Sequence, residues 1–415
     1  MEKKEKEQAL LVFAFCGESE SEAEARKKEL QELVRACGGE VRVFVVQHLP
    51  ALNPRTIVGS GKLEEIATLC TEQDIDLVVF EQELTGSQMK NITDALPVRV
   101  LDRLDVILDI FALRASSKKA KLQVRLAQLE YRLPRLRGLG AQLSRTGGGI
   151  GTRGPGEQKL ETDRRTILRE ISSVKAQLRE IGAQQEVSAK KRQRSALPIV
   201  SLAGYTNAGK STILNGLVEL YGAEGKQVYA DDLLFATLDL STRRIEVPGE
   251  PPFLLADTVG FIRDLPKKLL SAFESTLQGL DEADLILVVT DRSNPDAVEQ
   301  LKATRAILDQ RKLTAKRLYV MNKSDLGGDP LRVDASMQLE LNARDRESLS
   351  LLTGRIHQEL FGPVVETTRI FSYSQMGLLS EYQRRGCILE QEHTAEGIRT
   401  RMRLREAELE REWRG

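Results

Sequence analysis

Apolar and polar positions along this chain change their period twice. Through the first hundred residues, short apolar runs at Leu10 to Phe15, Val41 to Gln47, Ile75 to Phe80 and Val98 to Leu101 predict strands. Between them, Glu20 to Ala36, Lys62 to Glu72 and Thr85 to Ala95 are amphipathic and predict helices. Strand alternating with helix makes a small α/β unit with a parallel sheet. The pattern then turns heptad, with Leu122, Leu126, Leu129, Leu133 and Leu136 answered by Ile167, Ile171, Val174, Leu178 and Ile181. Two such seams predict a helical hairpin, whose first helix Pro134 should kink or end early. The connection from Arg137 to Gly156 shows no apolar periodicity and is longer than most loops of compact domains.

From about Ala196 strands and helices alternate again. Beyond Gly362-Pro363, a strand at Val364 to Phe371, a helix at Ser374 to Arg385, a strand at Cys387 to Glu392 and a charged helical tail to Trp413 are expected. The breaks divide the chain into an N-terminal α/β domain at 1–109, a helical hairpin at 110–195 with a glycine-rich loop at 138–157, a third domain at 196–362 and a small α+β module at 363–415.

Composition changes this picture in one place. The chain has 61 basic and 61 acidic residues, yet 110–195 holds 20 Lys and Arg against 7 Asp and Glu. The neutral average therefore hides one basic arm, which polyphosphate would attract. Cys16, Cys37, Cys70 and Cys387 are widely spaced and suggest neither a disulfide framework nor a zinc site. No secretory signal and no membrane-length apolar stretch is present, so a reduced, cytoplasmic protein is expected.

The chemistry begins after the apolar run Leu197 to Ala203, where Gly204-Tyr205-Thr206-Asn207-Ala208-Gly209-Lys210-Ser211 spells a complete phosphate loop, with Thr212 next in the following helix. Small residues let backbone N–H groups wrap a β-phosphate, and the helix N-terminus adds its dipole. Lys210 would reach the β- and γ-phosphates, and Ser211 would take a place on Mg²⁺. Asn322-Lys323-Ser324-Asp325 reads guanine, since the Asp325 carboxylate can accept from both N1–H and the exocyclic amine, a donor pair adenine lacks. Between them, Asp257-Thr258-Val259-Gly260 supplies a metal-holding carboxylate and a γ-phosphate-sensing backbone N–H. Thr237 is the candidate hydroxyl of the first switch, on the metal and the γ-phosphate, with Ser241 and Thr242 nearby as competitors. Lys210, Thr237 and Gly260 form the expected catalytic set, and Ser211, Thr237 and Asp257 the metal set. Asn342-Ala343-Arg344 is the last base-contacting loop, with Asn where Ser is usual. Gly59-Ser-Gly61-Lys62 lacks the first glycine of a phosphate loop and reads as a turn into a helix.

Phe261 follows Gly260 where many GTPases carry glutamine, so unassisted hydrolysis should be slow. The missing group must come from elsewhere in the chain, from a partner, or from a monovalent cation such as K⁺. Asn207 is a candidate cation ligand, and a residue that merely tolerates a strained turn is the other reading. In the hairpin connection, glycines including Gly147, Gly148 and Gly149 allow close backbone approach, while Arg137, Arg145 and Arg153 offer phosphate-directed forks. With few aromatics nearby, structured RNA is a better match than single strands.

Beyond these motifs, Asn53 to Lys62, Asp102 to Phe111, Lys121 to Glu130, Gly147 to Glu157 and Leu160 to Arg165 carry a resemblance to the HflX family of translation-associated GTPases, spanning most of residues 10 to 362. The resemblance implies a P-loop GTPase domain preceded by the small α/β domain with its basic two-helix coiled-coil hairpin and followed by a short α+β module. It also implies binding of GTP and GDP with Mg²⁺, binding of the large ribosomal subunit and its rRNA, and separation of stalled ribosomes, with hydrolysis releasing the factor. A monomer is expected, meeting membranes only peripherally through ribosomes. An RNA-binding scaffold for subunit maturation and an ATP-driven RNA remodeller are the alternatives.

Overall fold

A computed structural model of the chain describes residues 6–143, 155–192, 197–222, 241–258, 260–263, 274–311, 313–328 and 337–413. The chain divides into two compact units, one chiefly residues 1–191 and the other chiefly 192–415. The first opens with β1 Gln8–Phe15, α1 Glu20–Ala36, β2 Glu40–His48, α2 Ser60–Glu72, β3 Leu77–Phe80, α3 Gly86–Ala95, β4 Arg99–Asp102 and α4 Arg103–Arg114. The sheet order is β2-β1-β3-β4, and its ladders are parallel. β1 is buried from Ala9 onward because helices cover both faces of such a sheet. Each expected strand and helix of this unit is present to within two residues, and Gly59 is the N-cap of α2, so that glycine pair is a turn.

The hairpin is α5 Lys118–Leu143 and α6 Pro155–Arg192. Leu129, Ile171 and Val174 form its buried centre, flanked by Leu122, Leu126, Leu133, Ile167 and Leu178, so the heptad reading holds. Two expectations are corrected. Of the kink or early end expected at Pro134, the early end does not occur: α5 continues through it, forfeiting the one intrahelical bond proline cannot donate, while Arg135 anchors that turn from the side. The glycine-rich connection is also shorter than 138–157: both of its ends are helical, and Arg137 lies in α5.

That anchor is ionic. Asp102, fully buried, accepts from the N–H of Leu84 at 2.9 Å and of Asp105 at 3.0 Å, from the Tyr131 hydroxyl and from Arg135. Arg135 also reaches Asp105 at 2.8 Å. A side chain at Gly86 would stand 2.4 Å from the Arg135 carbonyl oxygen, so α3 and α5 can approach only over glycine. Removing one partner of such a cluster would leave a buried charge, which is why the hairpin's root is fixed to this sheet.

The second unit contains β5 Ile199–Gly204, α7 Lys210–Tyr221, β6 Ser241–Ile245, β7 Phe253–Asp257, α8 Glu274–Asp281, β8 Leu285–Asp291, α9 Ala297–Gln310, β9 Lys316–Asn322, β10 Gln338–Glu340 and α10 Arg346–Phe361. Strand order is β10-β9-β8-β5-β7-β6, with β6 antiparallel to β7 and the other pairs parallel. Parallel strands therefore end together at Gly204, Asp257, Asp291 and Asn322, and the loops beyond them open on one edge, the usual ligand position of such sheets.

A C-terminal module follows with β11 Val364–Phe371, α11 Met376–Arg385, β12 Ile388–Thr394, β13 Gly397–Arg405 and α12 Glu406–Trp413, its antiparallel strands ordered β11-β13-β12. β13 corrects the expected helical tail. Thr400, Met402 and Leu404 are buried and alternate with exposed Arg399, Arg401 and Arg403, which is strand periodicity. Among the described residues no helix is long and apolar enough to cross a membrane.

Candidate functional site

The phosphate loop leaves β5 at Gly204 and enters α7 at Lys210. Beyond Gly204, itself at φ +152°, two further positive φ angles shape it, +60° at Asn207 and +95° at Gly209. Glycine is required at the second position, because a Cβ there would lie 2.1 Å from the Asn322 amide nitrogen. Asn207 is exposed in a left-handed turn that asparagine tolerates better than most residues. Lys210 is only 6% exposed, and its ammonium donates to the carbonyls of Gly204 at 3.1 Å and Tyr205 at 2.8 Å. Burial pushes its pKa down to about 8, against an opposing pull from Asp257. Bound phosphate would restore the favoured charge.

Ser211 and Asp257 meet from opposite sides of the loop. The serine hydroxyl donates to the Asp257 carboxylate at 2.8 Å, and that carboxylate is fully buried. A hydroxyl and a carboxylate are oxygen donors of the type Mg²⁺ takes, with phosphate and water completing its shell. Among the described residues no group of three or more His, Cys, Asp or Glu gathers as an all-protein metal cage would require. These residues fit a nucleotide-borne Mg²⁺.

Past Asp257, Thr258 is buried and donates its hydroxyl to the Leu202 carbonyl at 2.6 Å. Gly260 lies so close to the loop that a Cβ would stand 2.7 Å from Thr206 and 3.0 Å from the Lys210 nitrogen. Phe261 is 3% exposed, its N–H donating to Gly204 at 3.0 Å and its carbonyl accepting from Thr206 at 2.7 Å. The buried ring has no group to orient water. Tyr205 adds a third tie, its hydroxyl accepting from the Arg263 N–H at 2.5 Å.

Asn322 joins the loops that follow β9 and β10 to the loop that follows β5. Its amide donates to the Ala208 carbonyl at 2.8 Å and accepts from the Ala343 N–H at 3.1 Å. Lys323 follows in a left-handed conformation, and Asp325 is exposed on the next turn. Asn342 accepts from the Arg344 N–H at 3.0 Å, so the Asn that replaces Ser still forms a local turn. Thr212, Ala343 and Arg344 line one cleft of about 300 Å³ beside α7.

Segments far apart in sequence are thus brought together at one sheet edge: 204–212, 257–258 with 260–261, 322–325 and 342–344. Thr237, Val259, Arg145, Gly147, Gly148, Gly149 and Arg153 lie outside the described residues, as does the side chain of Arg137. One neighbour escaped the sequence reading. Asp291 bonds Lys323 at 2.8 Å, and its only signal was a place at the tip of an apolar run, Leu285 to Val289.

Three family models match the chain: "GTP-binding GTPase N-terminal" over residues 24–112, "GTP-binding GTPase Middle Region" over 114–192 and "50S ribosome-binding GTPase" over 199–323. The curated protein "GTPase HflX" of Caldanaerobacter subterraneus is 42% identical over 95% of this chain and 90% of its own length. That of Lacrimispora saccharolytica is 40% identical over 96% and 94%. A solved complex of the protein SsGBP with GDP overlays with TM-score 0.49 and 24% identity, over 85% of this chain and 98% of that one, too loosely to bear on the assignment.

Proposed function

The chain belongs to the HflX family of GTPases, and from that premise we propose that it is a Mg²⁺-dependent GTPase that binds the large ribosomal subunit, separates stalled or idle ribosomes into subunits and leaves when GTP is hydrolysed. The observation that carries the guanine-nucleotide part is the Asn322 side chain, which ties the Ala208 carbonyl to the Ala343 N–H and so assembles a phosphate cradle and a base pocket in one edge. Ser211 and Asp257, with Thr237 from the first switch, would hold the Mg²⁺, which neutralises phosphate charge when bound. Lys210 reaches the β- and γ-phosphates, the Gly260 N–H senses the γ-phosphate, and Asp325 reads the base. The buried Phe261 leaves water orientation to another source, and K⁺ beside Asn207 or a group on the ribosome are the two we retain.

In this reading 1–109 is a mounting domain, 110–195 the RNA-contacting hairpin, 196–362 the switch and 363–415 an accessory module. Arg137, Arg145 and Arg153, with Gly147 to Gly149, would meet rRNA backbone through guanidinium forks and close glycine approach. The exposed cations of the described hairpin support that assignment. The protein acts as a cytoplasmic monomer. Sedimentation of intact ribosomes mixed with the purified protein tests the proposal: GTP should raise the free-subunit fraction and ATP should not. Stable binding to the large subunit without separation would overturn the splitting role in favour of a maturation scaffold, and equal action of ATP would overturn guanine selection.

A further inference from the structure

Asp291 closes β8, in parallel register with Asn322 on β9, and is 8% exposed. Its two carboxylate oxygens serve different partners. One accepts from the backbone N–H of Ser293 at 3.0 Å and from its hydroxyl at 2.6 Å, and the other accepts from the Lys323 ammonium at 2.8 Å. Arg292 continues the grip: its N–H donates to the Asn322 carbonyl at 3.0 Å, and its guanidinium reaches the Gly328 carbonyl at 3.1 Å and the Glu340 carboxylate. Residues 291–293 therefore hold the segment 322–328 from outside every nucleotide motif.

That segment needs holding. Lys323 has φ +59°, a left-handed backbone that a lysine keeps only when its surroundings fix it. The turn it makes begins the short helical turn Ser324–Leu326, which carries Asp325. A lysine stem has many rotamers, and freezing it as the ligand arrives would weaken binding. Asp291 freezes it beforehand, because the ionic partner holds the ammonium and the stem has little freedom left.

We infer that Asp291 is a positioning residue of the guanine site, acting through Lys323, whose stem it lays where the purine ring is to rest. The inference rests on reading Asn322 to Asp325 as the base reader. Among the described residues Asp291 hydrogen-bonds Lys323 and no residue of the phosphate loop, so its influence is directed at ligands that carry a base.

Displacement of a fluorescent GDP analogue tests it, with GDP, ADP and Mg²⁺-pyrophosphate as competitors. In Asp291→Asn, the Kd of GDP should rise about fivefold to tenfold while that of pyrophosphate stays within about twofold. Pyrophosphate also reports folded protein, which separates a positioning effect from a loss of structure. In a Lys323→Met background, Asp291→Asn should add no further loss, since the partner it acts through is gone. Unmoved GDP affinity, an equal loss for pyrophosphate, or an undiminished effect in the Lys323→Met background would each overturn the inference while leaving the base reader standing. Equal affinity of the unaltered protein for GDP and ADP would overturn the base reader itself, and the inference with it.

Discussion

In the proposed nucleotide site Lys210 is 6% exposed, its ammonium against the carbonyls of Gly204 and Tyr205, whereas along the hairpin Lys121, Arg125, Arg132, Arg169 and Arg179 stand exposed. Both regions are suited to phosphate, but under opposite conditions. A buried ammonium acts in a low dielectric on one anion at one point, is little screened by salt, and costs desolvation, as its lowered pKa records. Exposed guanidinium and ammonium groups cost little to display, are strongly screened, and act by number through released counterions. Several are already matched by carboxylates, as in Arg125 with Glu170 at 2.7 Å and Lys175 with Glu130 at 2.7 Å. Such surface pairs add little stability and yield readily to a polyanion. The first arrangement suits a switch that distinguishes bound from empty, the second a broad and reversible grip.

The sharpest break of that comparison is Lys210→Ala. Turnover of GTP should fall about 10²- to 10³-fold, as when a preorganised donor to a charged transition state is removed, while salt-dependent association of the hairpin with ribosomes persists. Single-turnover hydrolysis and co-sedimentation would check the two halves, and loss of both would show that the regions are not separable. A smaller effect is expected from replacing Arg145 and Arg153 together by Ala. Ribosome affinity should drop about tenfold at moderate salt, and the slope of log K against log salt should become shallower by about two, with GTP affinity unchanged. An unchanged slope would remove the connection from the RNA interface.

The smallest signal is a proton. Because the Lys210 pKa is lower folded than in its ordinary range, its charged form carries a full stability penalty below about pH 8, and the penalty fades as pH rises toward 10.5. A phosphate that re-favours the ammonium should therefore draw in about one proton when GDP binds near pH 9, and close to none near pH 7. Binding enthalpies in buffers of different ionisation heat would measure this. A hairpin-type exposed lysine would give no such uptake at either pH.

The two regions also differ in how plainly they were written in the sequence. The hairpin's seam is local, since residues three and four apart share a helix face, and Leu122 through Leu133 and Ile167 through Leu178 pack as their spacing requires. The ends of its connection were misread because Gly138 and Gly140 suggest a loop, while a helix already nucleated by a packed seam continues to Leu143. The proposed nucleotide motifs were legible for another reason: phosphate geometry would dictate the spelling of Gly204 to Ser211, and guanine that of Asn322 to Asp325. The β13 strand was missed because charged residues at every second position look like a polar helix until Met402 and Leu404 find a core.

Residue order alone determined most strand and helix periods and the basic character of the hairpin, and it spells the proposed phosphate loop and guanine reader, because each depends on neighbours within a few positions or on a ligand of fixed shape. Only the folded chain decided that Asn322 would span Ala208 and Ala343, that Ser211 would meet Asp257, and that Asp102 would clasp Arg135. Those contacts join residues separated by 21 to 114 positions. Their partners are selected by strand order and by close packing over glycine, which no local pattern encodes.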